Sequence, residues 1–486
     1  YFFGAKIYAS GRLYAPAPAA PNLFPGPFMV VRDGRWFPQY PPVTSLCLAI
    51  GMLLGVPWLV EPVLGTLALL AIGLVAARLY DRRVATLAVI LGALSPFYSY
   101  LAASYLSHAV ALCLLSWGLW ALLRFAQGGR GRWLPVAGAL FGTATLTRDL
   151  VALLFAALAV AAVLALHWRD LRHGWPRWAL PGTLFIGVLL LSGVAQLALN
   201  RALTGDALVS PRTLFSPADH WGFGPGVGFY GGHTVAAGFV TLDELLTALA
   251  IDLSGWPFML TLAVLLAPFL LRRARLADWL LLGVAAVITG SFIGYFYHGI
   301  YLGPRYLYET LPCLLPLTAR GVVELERAGG RIAHAVMARL DAWRGHTAPA
   351  GARGATAGLG AWLALAALVG CNLLYYTPRQ TVLYHTFNGL PNGQRLDLAA
   401  LEHPSLRHAI VVTGDYPLYG YALFPLNDPL LRGNVLYAFA QSAADYAELR
   451  AAYPGRALYR IAVASDGRVR FIPLAAEGDS TPAHSR

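Results

Sequence analysis

The sequence predicts an all-α polytopic membrane protein with about ten transmembrane helices and a small α+β extracytoplasmic domain at its C-terminal end. Of its 486 residues, 57% are hydrophobic and 12% are charged, and the mean hydropathy is +0.57. A soluble domain could not bury that much apolar surface. Apolar runs recur from about Val43 to Tyr376, each of roughly the 17–25 residues that cross a bilayer. Backbone groups in lipid must pair internally, so these runs must be helices.

Basic residues define the orientation of these helices. The formal net charge is +12, with 36 lysines and arginines, and nearly all of them are arginines. They cluster in short runs between the apolar segments, as cytoplasmic loops do under the positive-inside rule. That distribution argues against nucleic-acid binding, which would need a basic patch on one surface. The runs occupy residues 78–83, 124–132, 167–177, 271–276 and 327–345.

Ten crossings that begin and end outside the cytoplasm place every one of those basic runs inside. The predicted spans are 62–79, 85–101, 107–124, 134–148, 150–166, 179–199, 256–271, 277–298, 305–321 and 356–376. A further apolar stretch, residues 43–60, would break the parity if it also crossed. Prolines stand at both of its ends, so we expect a helix that lies in or re-enters the outer interface.

The remaining chain lies outside the cytoplasm. Residues 1–42 form a first loop, and the transmembrane domain, residues 43–376, carries a second, glycine-rich loop at 200–255. Residues 377–486 form a tail of mixed composition. Within it the pattern predicts a strand at 408–414 and a capped helix at 442–455. It also predicts a hairpin at 458–474 that turns at Asp466–Gly467.

The stretch GPRYLYETLP places an arginine and a glutamate at the outer end of a predicted span. Pro304 favours the first position of a helix, which puts Arg305 beside the unpaired N–H groups of a helix N-terminus. A guanidinium at such a terminus is suited to binding a phosphate. Tyr306 would lie at headgroup depth, and Glu309 could pair with Arg305 at i,i+4. Alternatively, Arg305 and Glu309 form a buried structural ion pair.

Three further polar points fall on the same outer surface. Arg148 and Asp149 follow one another between two apolar segments, and His108 opens a span. His108 could equally be a hydrogen-bonded structural group. Tyr40 precedes two prolines in a stretch that could be an interfacial anchor. Together these residues predict an outer-leaflet cavity for a ligand with an anionic head and an apolar tail.

Several classes of site are not indicated. The four cysteines lie in apolar segments without metal-ligand spacing, so neither a metal nor a cofactor is expected. No nucleotide-binding loop or serine-nucleophile elbow is present in the sequence. Asp33 is the acid of residues 1–42, but its RDGR context is typical of a turn.

An ordered set of stretches resembles the GT-C superfamily of integral-membrane glycosyltransferases. The resemblance is to the branch of the aminoarabinose transferases and protein O-mannosyltransferases, glycosyltransferase family 39-like, and covers most of residues 1–325. The matching stretches are YFFGAKIYASGRLYAP (1–16), YPP (40–42), RLYDRRVATLAVILGALSPF (78–97), LTRD (146–149), NRALTGDAL (200–208) and GPRYLYETLPCLLPLTARG (303–321).

The resemblance implies transfer of a sugar from a polyprenyl-phosphate donor, with inversion, on the outer face of the cytoplasmic membrane. The acceptor would be a lipid, glycan or protein of the envelope, and the enzyme a multi-pass protein of the inner membrane. Arg305 would be the leading ligand of the donor phosphate, with Arg148 and Lys6 beside it. Tyr40, His108, Asp149, Tyr306 and Glu309 would line the site.

In this family a carboxylate deprotonates the acceptor and stands directly before the aromatic stretch that here begins at Tyr1. The catalytic base and the first span are therefore expected upstream of Tyr1. The alternative is a non-catalytic transporter or lipid-phosphate-binding protein on a similar scaffold. Charges near the middle of the membrane would favour transport, whereas the charges here cluster at the outer ends of the spans.

Overall fold

The structure is a computed structural model, which describes residues 1–173, 178–229, 231–296, 299–344, 350–385, 406–463 and 468–474. The chain starts with helix α1 (Phe2–Ala9) and a three-stranded antiparallel sheet. Its strands are β1 (Ala15–Pro16), β2 (Met29–Arg32) and β3 (Arg35–Pro38), in the order β1-β3-β2. Asp33 and Gly34 make the β2–β3 turn with φ of 48° and 72°. Asp33 is thus a turn residue, as its context predicts.

Eight helices follow in the described residues up to Thr204. They are α2 (Pro42–Leu53), α3 (Pro57–Leu79), α4 (Arg82–Ala93), α5 (Pro96–Ala102), α6 (His108–Ala126), α7 (Trp133–Thr145), α8 (Asp149–His173) and α9 (Ala179–Thr204). Helix α2 has 12 residues and is about 18 Å long, well short of the ~30 Å hydrocarbon core. The interfacial placement of residues 43–60 stays a prediction, and the next helix starts at Pro57 rather than at residue 62.

The second half of the helical region contains helices of very different lengths, from 5 residues to 34. They are α10 (Pro211–Phe215), α11 (Val235–Asp252), α12 (Leu260–Leu270), α13 (Leu276–Ser291), α14 (Leu311–Arg344), α15 (Ala350–Cys371) and α16 (Thr377–His385). Helices α10 and α11 lie within the stretch that the sequence predicted as a flexible glycine-rich loop. That prediction was too broad, because the glycine-rich part is limited to residues 222–232 and an apolar helix follows it.

Five described helices are long and apolar enough to cross a membrane, namely Pro57–Leu79, His108–Ala126, Asp149–Asp170, Ala179–Thr204 and Leu276–Gly294. Two further pairs of consecutive helices are each bent at a short break, and the number of candidate spans rises to seven if each pair is one span. The count of ten crossings is therefore not confirmed. One physical reason is length: α7 has 13 residues and extends about 20 Å.

The bends have local causes. Helices α4 and α5 meet at 66°, where Ser95 caps the second helix and Pro96 cannot donate to the first. The second bend, of 98°, lies between α11 and the Pro257–Leu270 segment. There Gly255 has φ of 63° and Pro257 follows it, so one helix cannot continue into the other.

The main hydrophobic core runs between α3, α4, α6, α8 and α14. Ile72, Leu112 and Leu317 are fully buried in it. Helix α9 is different, because the most apolar 18-residue window of this helix has no buried residue. Leu190, Leu191 and Val194 are all exposed, as expected of a helix that faces lipid.

The C-terminal tail is a small α+β unit. It comprises β4 (Ala409–Thr413), α17 (Tyr416–Leu418), β5 (Val435–Phe439), α18 (Ala443–Ala452), β6 (Ala457–Val463) and β7 (Val469–Pro473). The sheet order is β5-β4-β6-β7, with β4 parallel to both of its neighbours and β7 antiparallel to β6. The predicted strand, helix and hairpin are present, and the turn at Asp466–Gly467 lies outside the described residues. Strand β5 was not predicted.

The first loop and the tail share one core. Trp36 and Phe424 are buried in it, with ring centroids 5.7 Å apart, and Phe3 lies 4.5 Å from the same Phe424 ring. Lys6 adds a polar link, since its Nζ donates to the carbonyls of Pro425 at 2.6 Å and Asn427 at 3.0 Å. Segments separated by the whole helical region are thus packed into one body.

Candidate functional site

One large cavity lies where residues 1–42, residues 200–229, the start of α8 and residues 300–306 meet. Its volume is about 880 Å³, within the usual range for small-molecule sites. Its charged lining residues and histidine are His108, Arg148, Asp149, Arg212, Asp219 and Arg305. Aromatic side chains form much of the remaining wall, namely Tyr1, Phe2, Phe28, Tyr40, Tyr105, Phe215, Trp221, Phe229, Phe292, Tyr295, Tyr301, Tyr306 and Tyr421.

A buried polar cluster supports one wall of this cavity. Glu309 is fully buried, and its Oε1 lies 2.9 Å from Nε of Arg148 and 3.1 Å from Nδ1 of His108. Arg148 in turn has Nη1 3.2 Å from Nε2 of His108. An arginine can only donate, so His108 must accept at Nε2 and donate from Nδ1 to Glu309. His108 is therefore neutral in this arrangement.

The expected ion pair between Arg305 and Glu309 is not formed. Glu309 binds Arg148 and His108, which come from α8's entry and the start of α6, rather than the arginine four residues before it. The i,i+4 expectation assumed an α-helix from Pro304. Residues Arg305–Thr310 instead form a 3₁₀ helix, and α14 begins at Leu311. Side chains three apart face one another in a 3₁₀ helix, so residues four apart diverge.

Arg305 lies among aromatic rings. Its guanidinium stands 5.4 Å from the ring centroid of Tyr301 and 4.9 Å from that of Tyr306, and Nη2 donates to the Tyr306 hydroxyl at 3.3 Å. Among the described residues, Arg305 has no carboxylate partner within ion-pair distance. Its positive charge at the cavity wall is therefore uncompensated, in contrast to that of Arg148. The short 3₁₀ helix replaces the α-helical N-terminus that the sequence suggested beside it.

A second charged group was missed by sequence reasoning. Arg212, in α10, donates from Nε and Nη2 to both carboxylate oxygens of Asp219 at 3.2 and 2.7 Å. Tyr295 donates its hydroxyl to Asp219 Oδ1 at 2.8 Å and accepts from Arg212 Nη2 at 2.7 Å. Burial alone would lower the pKa of Arg212, but Tyr295 and Asp219 more than reverse this and raise it. The sequence signal that could have indicated this pair is an arginine and an aspartate seven residues apart in a segment that also contains two prolines.

The other predicted residues are divided between the cavity and its surroundings. Tyr40 stacks on Tyr1 at 4.6 Å between ring centroids, and burial raises the pKa of Tyr40. Asp149, exposed at the start of α8, lines the cavity beside Arg148. Lys6 does not line it. Burial lowers the pKa of Lys6, partly offset by Asp428, and its ammonium binds the tail carbonyls, so the expectation that it lines the phosphate site is corrected.

Comparison with known proteins identifies the class of fold. Residues 39–194 match the family model of dolichyl-phosphate-mannose-protein mannosyltransferases. The fold resembles the crystal structure of ArnT from Cupriavidus metallidurans bound to undecaprenyl phosphate, at 16% identity and a TM-score of 0.55. That likeness covers 97% of this chain and 92% of the other. No curated protein sequence matches the chain.

The apo state of the same ArnT is similar at 18% identity and a TM-score of 0.53, covering 95% of this chain and 87% of the other. At such identities a structural likeness shows a shared fold. Together with the family-model match, it confirms the resemblance to the GT-C superfamily of membrane glycosyltransferases.

Proposed function

We propose that this protein transfers a sugar from a polyprenyl-phosphate donor to an envelope acceptor (a lipid, a glycan or a protein) at the outer face of the cytoplasmic membrane. The observation that carries the proposal is the uncompensated charge of Arg305 at the wall of the large cavity. Arg148 and Arg212 line the same cavity but are paired with Glu309 and Asp219. Among the described residues, Arg305 is therefore the cavity arginine whose charge is available to an anion.

The chemistry requires a cation at this position. In the transfer step the acceptor oxygen bonds to the anomeric carbon of the sugar, while the bond from that carbon to the phosphate oxygen breaks. The donor phosphate is a diester with one negative charge, and it leaves as a monoester that gains a second. A fixed guanidinium stabilises that developing charge more than it stabilises the bound donor, which is the condition for accelerating the reaction.

The surrounding residues fit a lipid-linked anion. The Arg305 guanidinium is held between the Tyr301 and Tyr306 rings, so little rotamer freedom is lost when it binds a phosphate. Arg148 lines the same cavity as Arg305, but its charge is balanced by Glu309. The aromatic wall suits the apolar part of a polyprenyl chain.

The acceptor proton must be taken up by a base. The family resemblance assigns that role to a carboxylate that precedes the position of Tyr1. Two carboxylates line the described cavity: Asp219, which is paired with Arg212, and Asp149 at the start of α8. The proposed base remains the upstream carboxylate, because it is the one that the family resemblance implies.

The test is sugar transfer by the purified protein in lipid vesicles, with a polyprenyl-phosphate sugar as donor. We expect Arg305→Ala to reduce turnover by roughly a hundredfold or more, the usual effect of removing one preorganised donor. Arg305→Lys should recover only part, because a point charge replaces a planar fork. Arg12→Ala, at an exposed arginine of the first loop, is the matched control. Near-normal transfer by Arg305→Ala in a folded protein would overturn the proposal.

A further inference from the structure

We propose that Asp252 is a positioning residue for Arg305, because it holds the turn at Leu302 and Gly303 that carries Arg305 to the cavity wall. The inference rests on the proposed function, since it concerns the residue that would bind the donor phosphate. Asp252 is the last residue of α11 and is buried. Its carboxylate lies against Gly303, two residues before Arg305, so it acts on the phosphate site through the turn.

The turn before Arg305 has an unusual backbone. Leu302 has φ of 54° and Gly303 has φ of 76°, so two consecutive residues lie in the left-handed region. For a leucine this conformation is strained, and strain of this kind persists only where the surrounding structure holds it. The Arg305 N–H then donates to the Gly303 carbonyl at 2.8 Å. The position of Arg305 therefore depends on the groups that hold this turn.

Three side chains close the space around Gly303. A Cβ at this glycine would lie 2.9 Å from Cδ2 of Phe97, 3.0 Å from Oδ2 of Asp252 and 3.4 Å from the hydroxyl oxygen of Tyr384. The preceding Leu302 packs against the main hydrophobic core. The turn is thus held by the core through Leu302, and by a carboxylate, a hydroxyl and an aromatic ring at Gly303.

The place of Asp252 in its own helix indicates a role outside that helix. The C-terminal end of α11 carries the negative end of the helix dipole, which disfavours a carboxylate there. Asp252 is also only 7% exposed, and burying a carboxylate costs free energy that hydrogen bonds only partly offset. Both effects oppose the folded state. Asp252 therefore serves the contacts that it makes beyond α11.

The segment that leads from α15 into α16 holds Asp252 in place. The Tyr376 hydroxyl donates to Oδ1 of Asp252 and accepts from Nε2 of Gln380 at 2.7 Å. Asn372, one turn before Tyr376, donates from Nδ2 to the carbonyl of Leu94 at 2.7 Å. Because Oδ1 is bound to a fixed hydroxyl, the carboxylate cannot rotate freely and Oδ2 stays against the turn.

The experiment measures binding of two probes to the full chain in detergent: undecaprenyl phosphate, and undecaprenol, which lacks the phosphate. Asp252→Ala should weaken undecaprenyl phosphate by about tenfold or more, the usual scale for one misplaced contact to a charged group. It should leave undecaprenol nearly unchanged, because only the phosphate needs Arg305. Asp252→Asn should restore most of the affinity, since its amide oxygen still accepts from Tyr376. Asp243→Ala, at an exposed aspartate of the same helix, is the matched control.

A milder variant tests the same contact from its other side. Tyr376→Phe removes the donor to Asp252 and keeps the ring, so it should weaken undecaprenyl phosphate selectively but by less. Tyr375→Phe, at the neighbouring tyrosine that is 67% exposed, is its control. This pair keeps the inference testable if Asp252→Ala does not fold, which melting temperatures will show.

A double variant separates positioning from a general effect on the fold. In the Arg305→Ala protein, Asp252→Ala should cause no further loss of affinity for undecaprenyl phosphate, because the guanidinium that it positions is gone. Effects of independent sites would instead multiply, and that result would overturn the inference. Equal weakening of undecaprenol by Asp252→Ala would overturn it as well.

The same data distinguish failure of the inference from failure of the proposed function. If Arg305→Ala weakens undecaprenyl phosphate while Asp252→Ala and Tyr376→Phe bind it like the wild type, the inference alone is wrong. If Arg305→Ala binds both probes like the wild type, the phosphate site is not at Arg305, and the proposed function and the inference are both overturned.

Discussion

The carboxylate of Glu309 and the guanidinium of Arg148 form a buried ion pair, with 2.9 Å between Oε1 and Nε. Glu309 is fully buried and the Arg148 side chain is 17% exposed, so the pair lies at the boundary between the protein interior and the cavity. His108 completes it by binding both partners. The arrangement fixes one arginine at the cavity wall and removes its net charge.

Breaking this ion pair should lower the stability of the folded protein. Glu309→Gln keeps the shape of the side chain but leaves the Arg148 charge buried without a carboxylate. Removing one partner of a buried pair costs about 3–5 kcal/mol, so we expect a clear drop in melting temperature in detergent. The double variant Arg148→Met/Glu309→Leu should recover most of that stability, because no uncompensated charge is left. A Glu309→Gln protein as stable as the wild type would contradict the structure of the cluster.

The close packing of helices α12 and α14 should depend on one glycine, Gly321. A Cβ at Gly321 would overlap the backbone carbonyl of Val264 and contact the Val264 side chain, so the two helices could not approach as they do. Gly321→Ala should destabilise the protein by roughly 1–3 kcal/mol or more.

Gly329 provides the matched control on the same helix. A Cβ there meets no atom within 4 Å, and Gly329→Ala should stabilise α14 by up to about 1 kcal/mol. Melting temperatures of the two variants measure both effects. Equal behaviour of the two would show that the α12–α14 contact is not as close as described.

Lys6 should act on stability rather than on ligand binding. Lys6→Met removes the donors to the carbonyls of Pro425 and Asn427, and leaving such acceptors unpaired costs roughly 1–3 kcal/mol. We expect faster limited proteolysis of the tail with unchanged affinity for polyprenyl phosphate. The reverse result, a stable protein with weaker phosphate binding, would place Lys6 at the site as the sequence first suggested.

The membrane topology can be tested by reporter fusion. The distribution of basic runs predicts that the chain after Arg379 lies outside the cytoplasm. Alkaline phosphatase fused there should be active, and a cytoplasmic reporter at the same position should be silent. A fusion within the basic run 271–276 should behave in the opposite way. Cytoplasmic signal after Arg379 would mean that the number of crossings differs by one, with residues 43–60 as the first stretch to re-examine.

Local and compositional features could be predicted from the sequence because they depend on near neighbours. Hydropathy alone identified a helical membrane protein, and apolar runs located α3, α6 and α9 to within a few residues or a turn. Ser442 and Asp445 form the capping box of α18, which can be recognised from four consecutive residues. The ordered motifs pointed to the GT-C resemblance and to a cavity that gathers Arg148, His108, Tyr40 and Arg305.

The partners of those residues were decided only by the tertiary structure. An i,i+4 rule suggested Arg305 for Glu309, but the packing of α6 and α8 against residues 305–310 brought His108 and Arg148 to it instead. The Arg212–Asp219–Tyr295 cluster and the Lys6 link to the tail also join separate elements. A sequence shows neighbours along the chain, whereas the pairing of a buried charge depends on which helices pack together and leave it no water.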